Sequence, residues 1–186
     1  MPAMDTVQPR VSYTDLQQAP EDGRRYELYD GEVFVVPAPF PRHQQVVLDL
    51  AMRLDRYART TGGTVLASPI DIVFSEFNVL QPDLVFFQSA RRHFVKPDEA
   101  IRFPPDLVVE VISPNTATTD RGRKMQMYGR YAVPEYWIVD PRAREIELHQ
   151  LTDRGFALAR VVSAPDVLRS IVLQGLEIPT GELFED

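Results

Sequence analysis

Residues 104–140 read PPDLVVEVISPNTATTDRGRKMQMYGRYAVPEYWIVD, and their pattern decides the fold. Leu107, Val108, Val109, Val111 and Ile112 form a near-continuous apolar, β-branched run, the pattern of a strand buried on both faces. Tyr136, Trp137, Ile138 and Val139 form a second such run. Between them, Thr118–Asp120 supply hydroxyls and a carboxylate suited to the first turn of a helix. Pro134 ends that helix by pushing Val133 out of helical geometry. Strand, helix and strand at this spacing predict a parallel βαβ connection. The fold class is therefore α/β (α+β-like), a mixed central sheet flanked by helices.

Working outward, RYELYDGEVFVV (25–36) places two β-prone runs around Asp30-Gly31, a strong hairpin signal. The proline-rich PAPFP ends the second run. From Gln44 to Arg59, Val47, Leu50, Ala51, Leu54 and Ala58 recur at helical spacing, and Gly62-Gly63 closes that helix. TVLAS (64–68), DIVF (71–74) and DLVFF (83–87) read as short strands, and Arg91–Pro104 as an irregular loop. EIELHQL and FALARVV make a C-terminal hairpin around residues 153–155, and IVLQGLEI (171–178) is a candidate edge strand. Near the N-terminus, Thr14 with Gln17 forms a capping-box pattern for one short helical turn. Residues 1–12 are expected to be a flexible arm, and residues 13–186 a single domain.

The chain has 186 residues, 44% of them hydrophobic and 25% charged, which excludes bulk disorder and suits one domain. It has no cysteine, which removes thiol nucleophiles, disulfides and cysteine-ligated metals and fits a reducing compartment. Neither an apolar leader nor a run of ~18 apolar residues occurs, so a cytoplasmic protein without membrane attachment is expected. A net charge of -7 argues against binding nucleic acid over the whole surface. Only Lys96 and Lys124 are lysines, so any chemistry needing an ammonium has two candidates.

Glu110 is the most informative residue. It interrupts the buried run, where an unpaired carboxylate is expensive. It is either a strand-end carboxylate reaching water or an arginine, or it faces a metal, a cation or a wet cleft. Asp106, four residues earlier on the same strand, lies roughly 13 Å away and cannot share a small cation with it. Asp83 precedes a separate strand able to pair with that of Glu110, although Pro-Asp is also ordinary turn chemistry. Lys124 either pairs with Asp120 at i, i+4 or points back at the carboxylates. Met125, Tyr128 and Ala132 follow core spacing, which sets Lys124 beside the buried stripe.

YELYDGEVFVVPAP, PRHQQVV, VLQPDLVFF, PPDLVVEVISPNT and DRGRKMQMYGRYAVPEYWIVDP together resemble the Uma-type family of small bacterial restriction endonucleases. That family is a branch of the PD-(D/E)XK nuclease superfamily, and the resemblance spans roughly residues 24–150. It implies a restriction-endonuclease-like core and metal-assisted hydrolysis of DNA. By resemblance, Asp83 and Glu110 hold Mg²⁺ or Mn²⁺. The superfamily's lysine belongs two residues after the second carboxylate, where this chain has Ile112; the branch carries it on the following helix, matched by Lys124. Glu27 and His43 match further branch positions and are candidates for the outer shell, against the plainer roles of a solvated hairpin residue and a helix-start packing residue. Arg91, Arg92, Arg121, Arg123 and Arg130 are candidate phosphate contacts. The superfamily often works as dimers, so a homodimer is expected. The competing expectation is a non-catalytic nucleic-acid- or protein-binding module that keeps the fold.

Overall fold

The structure is a computed structural model that describes residues 9–114 and 116–185. Its centre is a six-stranded mixed sheet in the order β10-β9-β8-β7-β6-β3. These strands are β3 (Thr64–Ala67), β6 (Leu84–Phe87), β7 (Leu107–Val111), β8 (Glu135–Asp140), β9 (Glu145–Thr152) and β10 (Gly155–Ser163). β7 and β8 pair in parallel, Glu110 opposite Ile138, and the other neighbours are antiparallel. The expected βαβ unit thus forms the middle of the sheet.

The two faces of this sheet carry different helices. Helix α2 (Pro41–Thr61) lays Val46, Val47, Leu50, Leu54 and Ala58 against Leu84, Phe86, Leu107, Val109 and Trp137. Gly62, with φ of 77°, ends it in the left-handed conformation that favours glycine. The opposite face, with Val85, Phe87, Val108 and Ile138, is covered by Met127 and Tyr128. These belong to a helical stretch in three segments: α3 (Ala117–Thr119), a π-helical turn Asp120–Lys124, and α4 (Met125–Arg130). Side chains alternate between the faces of a strand, so Glu110, Val108 and Ile112 point toward the α4 side.

The N-terminal hairpin belongs to a second, four-stranded antiparallel sheet, β2-β1-β5-β4. It comprises β1 (Arg25–Tyr29), β2 (Glu32–Val36), β4 (Ile72–Ser75) and β5 (Asn78–Leu80), the last not foreseen from the sequence. Asp30 and Gly31 take φ of 51° and 88°, as a two-residue hairpin turn requires. The cap of α1 (Tyr13–Gln18) is Ser12 with Asp15 at N3, two residues before the expected Thr14. Of the expected arm, residues 1–8 lie outside the described residues. Val11 donates its N–H to Gly31 and Arg10 lies over the Phe77 ring. In the expected loop 91–104, a 3₁₀ turn (Ser89–Phe94) leads the chain out. At the C-terminus, the strands are β11 (Val167–Arg169) and β12 (Glu177–Pro179), which pair with each other, and most of IVLQGLEI is the turn between them. Among the described residues no helix is long and apolar enough to cross a membrane.

One buried carboxylate ties this C-terminal segment to the sheet. Glu135, fully buried at the start of β8, accepts hydrogen bonds from Trp137 Nε1 (2.7 Å), Ser170 Oγ (2.6 Å) and the N–H groups of Ile171 (3.0 Å) and Val172 (2.9 Å). Glu135→Ala strands all four donors, and a loss of about 3–5 kcal/mol is expected from urea unfolding. Wild-type stability in that variant would refute the anchoring role.

Candidate active site

Strand pairing brings the two carboxylates together. In the antiparallel β6–β7 register Leu84 faces Val109. Asp83, the residue just before β6, reaches the chain next to Glu110 on β7, and both carboxylates line the same cleft. Asp83 is held there by its Oδ2, which accepts the Val111 N–H at 2.8 Å and lies 3.0 Å from His43 Nε2. His43 sits in the first turn of α2, so the helix over one face of the sheet braces a carboxylate at its edge.

Glu110 is 3% exposed, and its Oε1 accepts from Lys124 Nζ at 2.9 Å and Tyr128 Oη at 2.6 Å. Lys124 is itself buried. Its ammonium also lies 3.3 Å from Glu27 Oε1 and 3.6 Å from Asp120 Oδ1, so both pairings open to it from the sequence occur together. Glu27 reaches in from β1 and accepts the Gln81 N–H at 2.9 Å and the Tyr29 hydroxyl at 2.8 Å. Asp120 and Lys124 bound the π-helical turn, a rare conformation that recurs at functional sites. Ile112, where the superfamily pattern has lysine, packs in the apolar layer beneath Tyr128 and Met127.

The electrostatics follow from burial. Loss of water raises the pKa of Glu110 well above the usual carboxylate range. Lys124 opposes that rise, and the charges of Asp83, Asp120 and Glu27 add to it. Burial disfavours a charged Lys124, but Glu110, Glu27 and Asp120 outweigh it and hold the ammonium protonated. Burial and the nearby Glu110 raise the Tyr128 hydroxyl, which stays a donor.

All five residues singled out from the sequence, Asp83, Glu110, Lys124, Glu27 and His43, meet at this cluster. Four of them line one cleft of about 50 Å³, with Gln81, Ser113 and Asp120; Glu27 stands behind it on Lys124. The sequence marks Tyr128 as a core residue and Asp120 as a helix-start residue able to pair with Lys124, but neither as part of the site. Both lie four residues from Lys124, on the same helical side, and that spacing was the available signal. Several arginines are engaged elsewhere. Arg91 pairs with buried Asp106 at 2.8 Å, Arg130 with Asp30 at 2.8 Å and Arg121 with Glu147 at 2.7 Å. Arg123 lies over the Phe34 ring at 4.3 Å.

The donor set fits a small hard cation. Two carboxylates with the remaining positions left to water are the usual way Mg²⁺ is held. The hydrogen bonds to Asp83 and Glu110 given above fall on Oδ2 and Oε1. His43 Nδ1 and Gln81 Oε1, both on the cleft, are buried without a hydrogen-bond partner among the described residues. Among those residues no three His, Asp or Glu side chains gather to hold a metal by protein ligands alone.

Lys124→Met removes the cation from three buried acids. A loss of about 3–5 kcal/mol is expected near neutral pH. Without the ammonium, Glu110 and Asp120, which burial already pushes up, have folded-state pKa values above their unfolded ones. Their contribution is then most favourable at low pH and is lost as pH rises through the folded values. The variant's deficit, read by urea unfolding, should therefore be smaller at pH 5 than at pH 8; a deficit that grows on acidification would contradict this account.

The comparisons with known proteins bear on the family and the fold. The Uma2 family, described as "Putative restriction endonuclease", matches residues 13–181. An "Uncharacterized protein slr1290" of Synechocystis sp. is 29% identical over 166 residues, covering 86% of this chain and 84% of that protein. A crystal structure titled as a "putative nuclease belonging to DUF820" from Anabaena variabilis superposes with a TM-score of 0.76 at 16% identity. It covers 94% of this chain and 97% of that one, and establishes the likeness of fold. With the family matched across nearly the whole chain and a nuclease-like fold beneath it, the protein belongs to the Uma2 family of restriction-endonuclease-like proteins.

Proposed function

We propose that the protein is a metal-dependent endonuclease that hydrolyses phosphodiester bonds of DNA. The observation that carries this reading is the convergence of Asp83 and Glu110 on one cleft, with Lys124 Nζ 2.9 Å from Glu110. Asp83 and Glu110 would hold Mg²⁺ or Mn²⁺, which when bound acidifies a water and neutralises phosphoryl charge. The Val111 N–H and His43 fix Asp83 in place, and Tyr128 fixes Glu110 from behind. Lys124 carries the compact ammonium, able to orient the attacking water and to offset charge building on the phosphoryl oxygens. Glu27 and Asp120 keep that ammonium charged and aimed at the cleft. Tight positioning by buried partners is where such a site gains its rate.

A second reading, a non-catalytic nucleic-acid- or protein-binding module, is favoured by one observation. The Lys124 ammonium already contacts Glu27, Glu110 and Asp120, so an internal counter-charge stands where an added cation would otherwise be needed.

Plasmid nicking in Mn²⁺ separates the two. Wild type should convert supercoiled to nicked DNA, EDTA should stop it, and Glu110→Gln should fall to background. Lys124→Met should cost on the order of 10²–10³ in rate where the variant remains folded. Equal cleavage by wild type and Glu110→Gln would trace the activity to a contaminant and overturn the mechanism. Thermal unfolding supplies a readout without turnover. Mn²⁺ should raise the Tm of wild type but not of Glu110→Gln, since an ion that binds only the folded state stabilises it.

A further inference from the structure

The carboxylate cleft, at about 50 Å³, accommodates a cation with its water but no nucleotide. Whatever flanks the scissile phosphate must therefore lie in the adjoining spaces. One of these, about 340 Å³, opens beside the cleft and shares His43 and Ser113 with it. Its walls include Phe40, Ile112, Pro114 and Pro141, and Arg142 contributes to its lining beside Arg42 and Arg121, the latter two held by Phe184 O and Glu147. Phe40 is 60% exposed just before α2, a large aromatic ring left open to water. Arg142 is exposed and has no side-chain partner among the described residues. Asp140, also on this pocket, is occupied by the N–H groups of Arg142 and Ala143 and shapes the turn between β8 and β9.

An apolar, aromatic-walled pocket rimmed by guanidinium groups is complementary to a nucleobase attached to a phosphate. A fully paired duplex fills it only by flipping a base out of the stack, at the cost of unstacking and unpairing that base. An unpaired base can turn into such a pocket and stack on Phe40. From this continuity of apolar pocket and carboxylate cleft, we infer that the substrate is a single or locally unpaired nucleic-acid strand. The base next to the scissile phosphate would be seated against Phe40, Pro114 and Pro141. The inference rests on the nuclease reading of the neighbouring cleft. It also fits a chain of net charge -7, because local stacking replaces broad phosphate attraction.

The test uses full-length Glu110→Gln protein and labelled 12-nucleotide probes at one fixed salt concentration: single-stranded DNA, RNA of the same sequence, and duplex DNA. At least one single strand should bind about tenfold more tightly than the duplex, and the DNA and RNA arms identify the preferred sugar. Phe40→Ala in that background should weaken single-strand binding about five- to hundredfold and leave duplex binding unchanged. Circular dichroism checks that the variant is folded; Arg142→Ala, at an exposed turn, provides a second probe and should also weaken the single strand. Duplex binding equal to or tighter than both single strands would overturn the inference, as would indifference to both substitutions. Wild-type cleavage is scored separately. Nicking without single-strand preference removes this inference alone, whereas Phe40-dependent binding without any cleavage removes the nuclease reading and keeps the binding site.

Discussion

A carboxylate in the middle of a buried parallel strand must be compensated, and much of this molecule is arranged around that requirement. Glu110 has no water to solvate it. Its compensation comes from one ammonium and one hydroxyl on the helix that follows its strand. Lys124 is too far below solvent to stay charged alone, so Glu27 and Asp120 are drawn in as well. The four-stranded sheet supplies Glu27, the six-stranded sheet supplies Glu110, and the π turn supplies Asp120 and Lys124. The charge cluster thereby pins one sheet to the other and both to the helix. Replacing such a network by apolar groups often stabilises a fold. The proposed chemistry would account for its presence in the core.

How much of this was legible depended on whether a residue's neighbours are near it in sequence. The Asp-Gly hairpin, the long amphipathic helix and the parallel pair around residues 106–140 rest on local pattern, and all three are present. Glu110 was visible because one charge breaks an apolar run. The meeting of Asp83 with Glu110 required only that their strands pair. Where long-range contacts decide, the sequence was silent. Nothing in RYELYDGEVFVV tells that its hairpin joins β5 and β4 rather than the central sheet. Nothing in SARRHF reveals that Arg91 is spent on buried Asp106. Ser12 and Thr14 are equally good caps by composition, and the choice falls to Ser12 because Asp15 can return the bond to its backbone.

Composition takes on a different meaning beside the geometry. The scarcity of lysine made Lys124 conspicuous, and the site shows why arginine would be a poor substitute there. The space among Glu27, Glu110 and Asp120 admits a compact point charge, whereas a planar guanidinium demands a fork of acceptors. The acidic balance is likewise uneven in its effect. Three of the acids are turned inward onto one cation and so are withdrawn from the exposed surface.

The π-helical turn has a consequence for how this protein tolerates change. Each residue rotates an α-helix by about 100°. Met127 and Tyr128 are locked in the core, so a one-residue deletion between positions 120 and 124 cannot be absorbed downstream. The rotation would be taken up by Asp120 and by the approach from Ser113, swinging the acid away from the ammonium. Substitutions are another matter: Gly122 has open space beside its Cα. This segment should accept new side chains more readily than a new length. What the geometry fixes here is a count of residues between strand and helix rather than their identities.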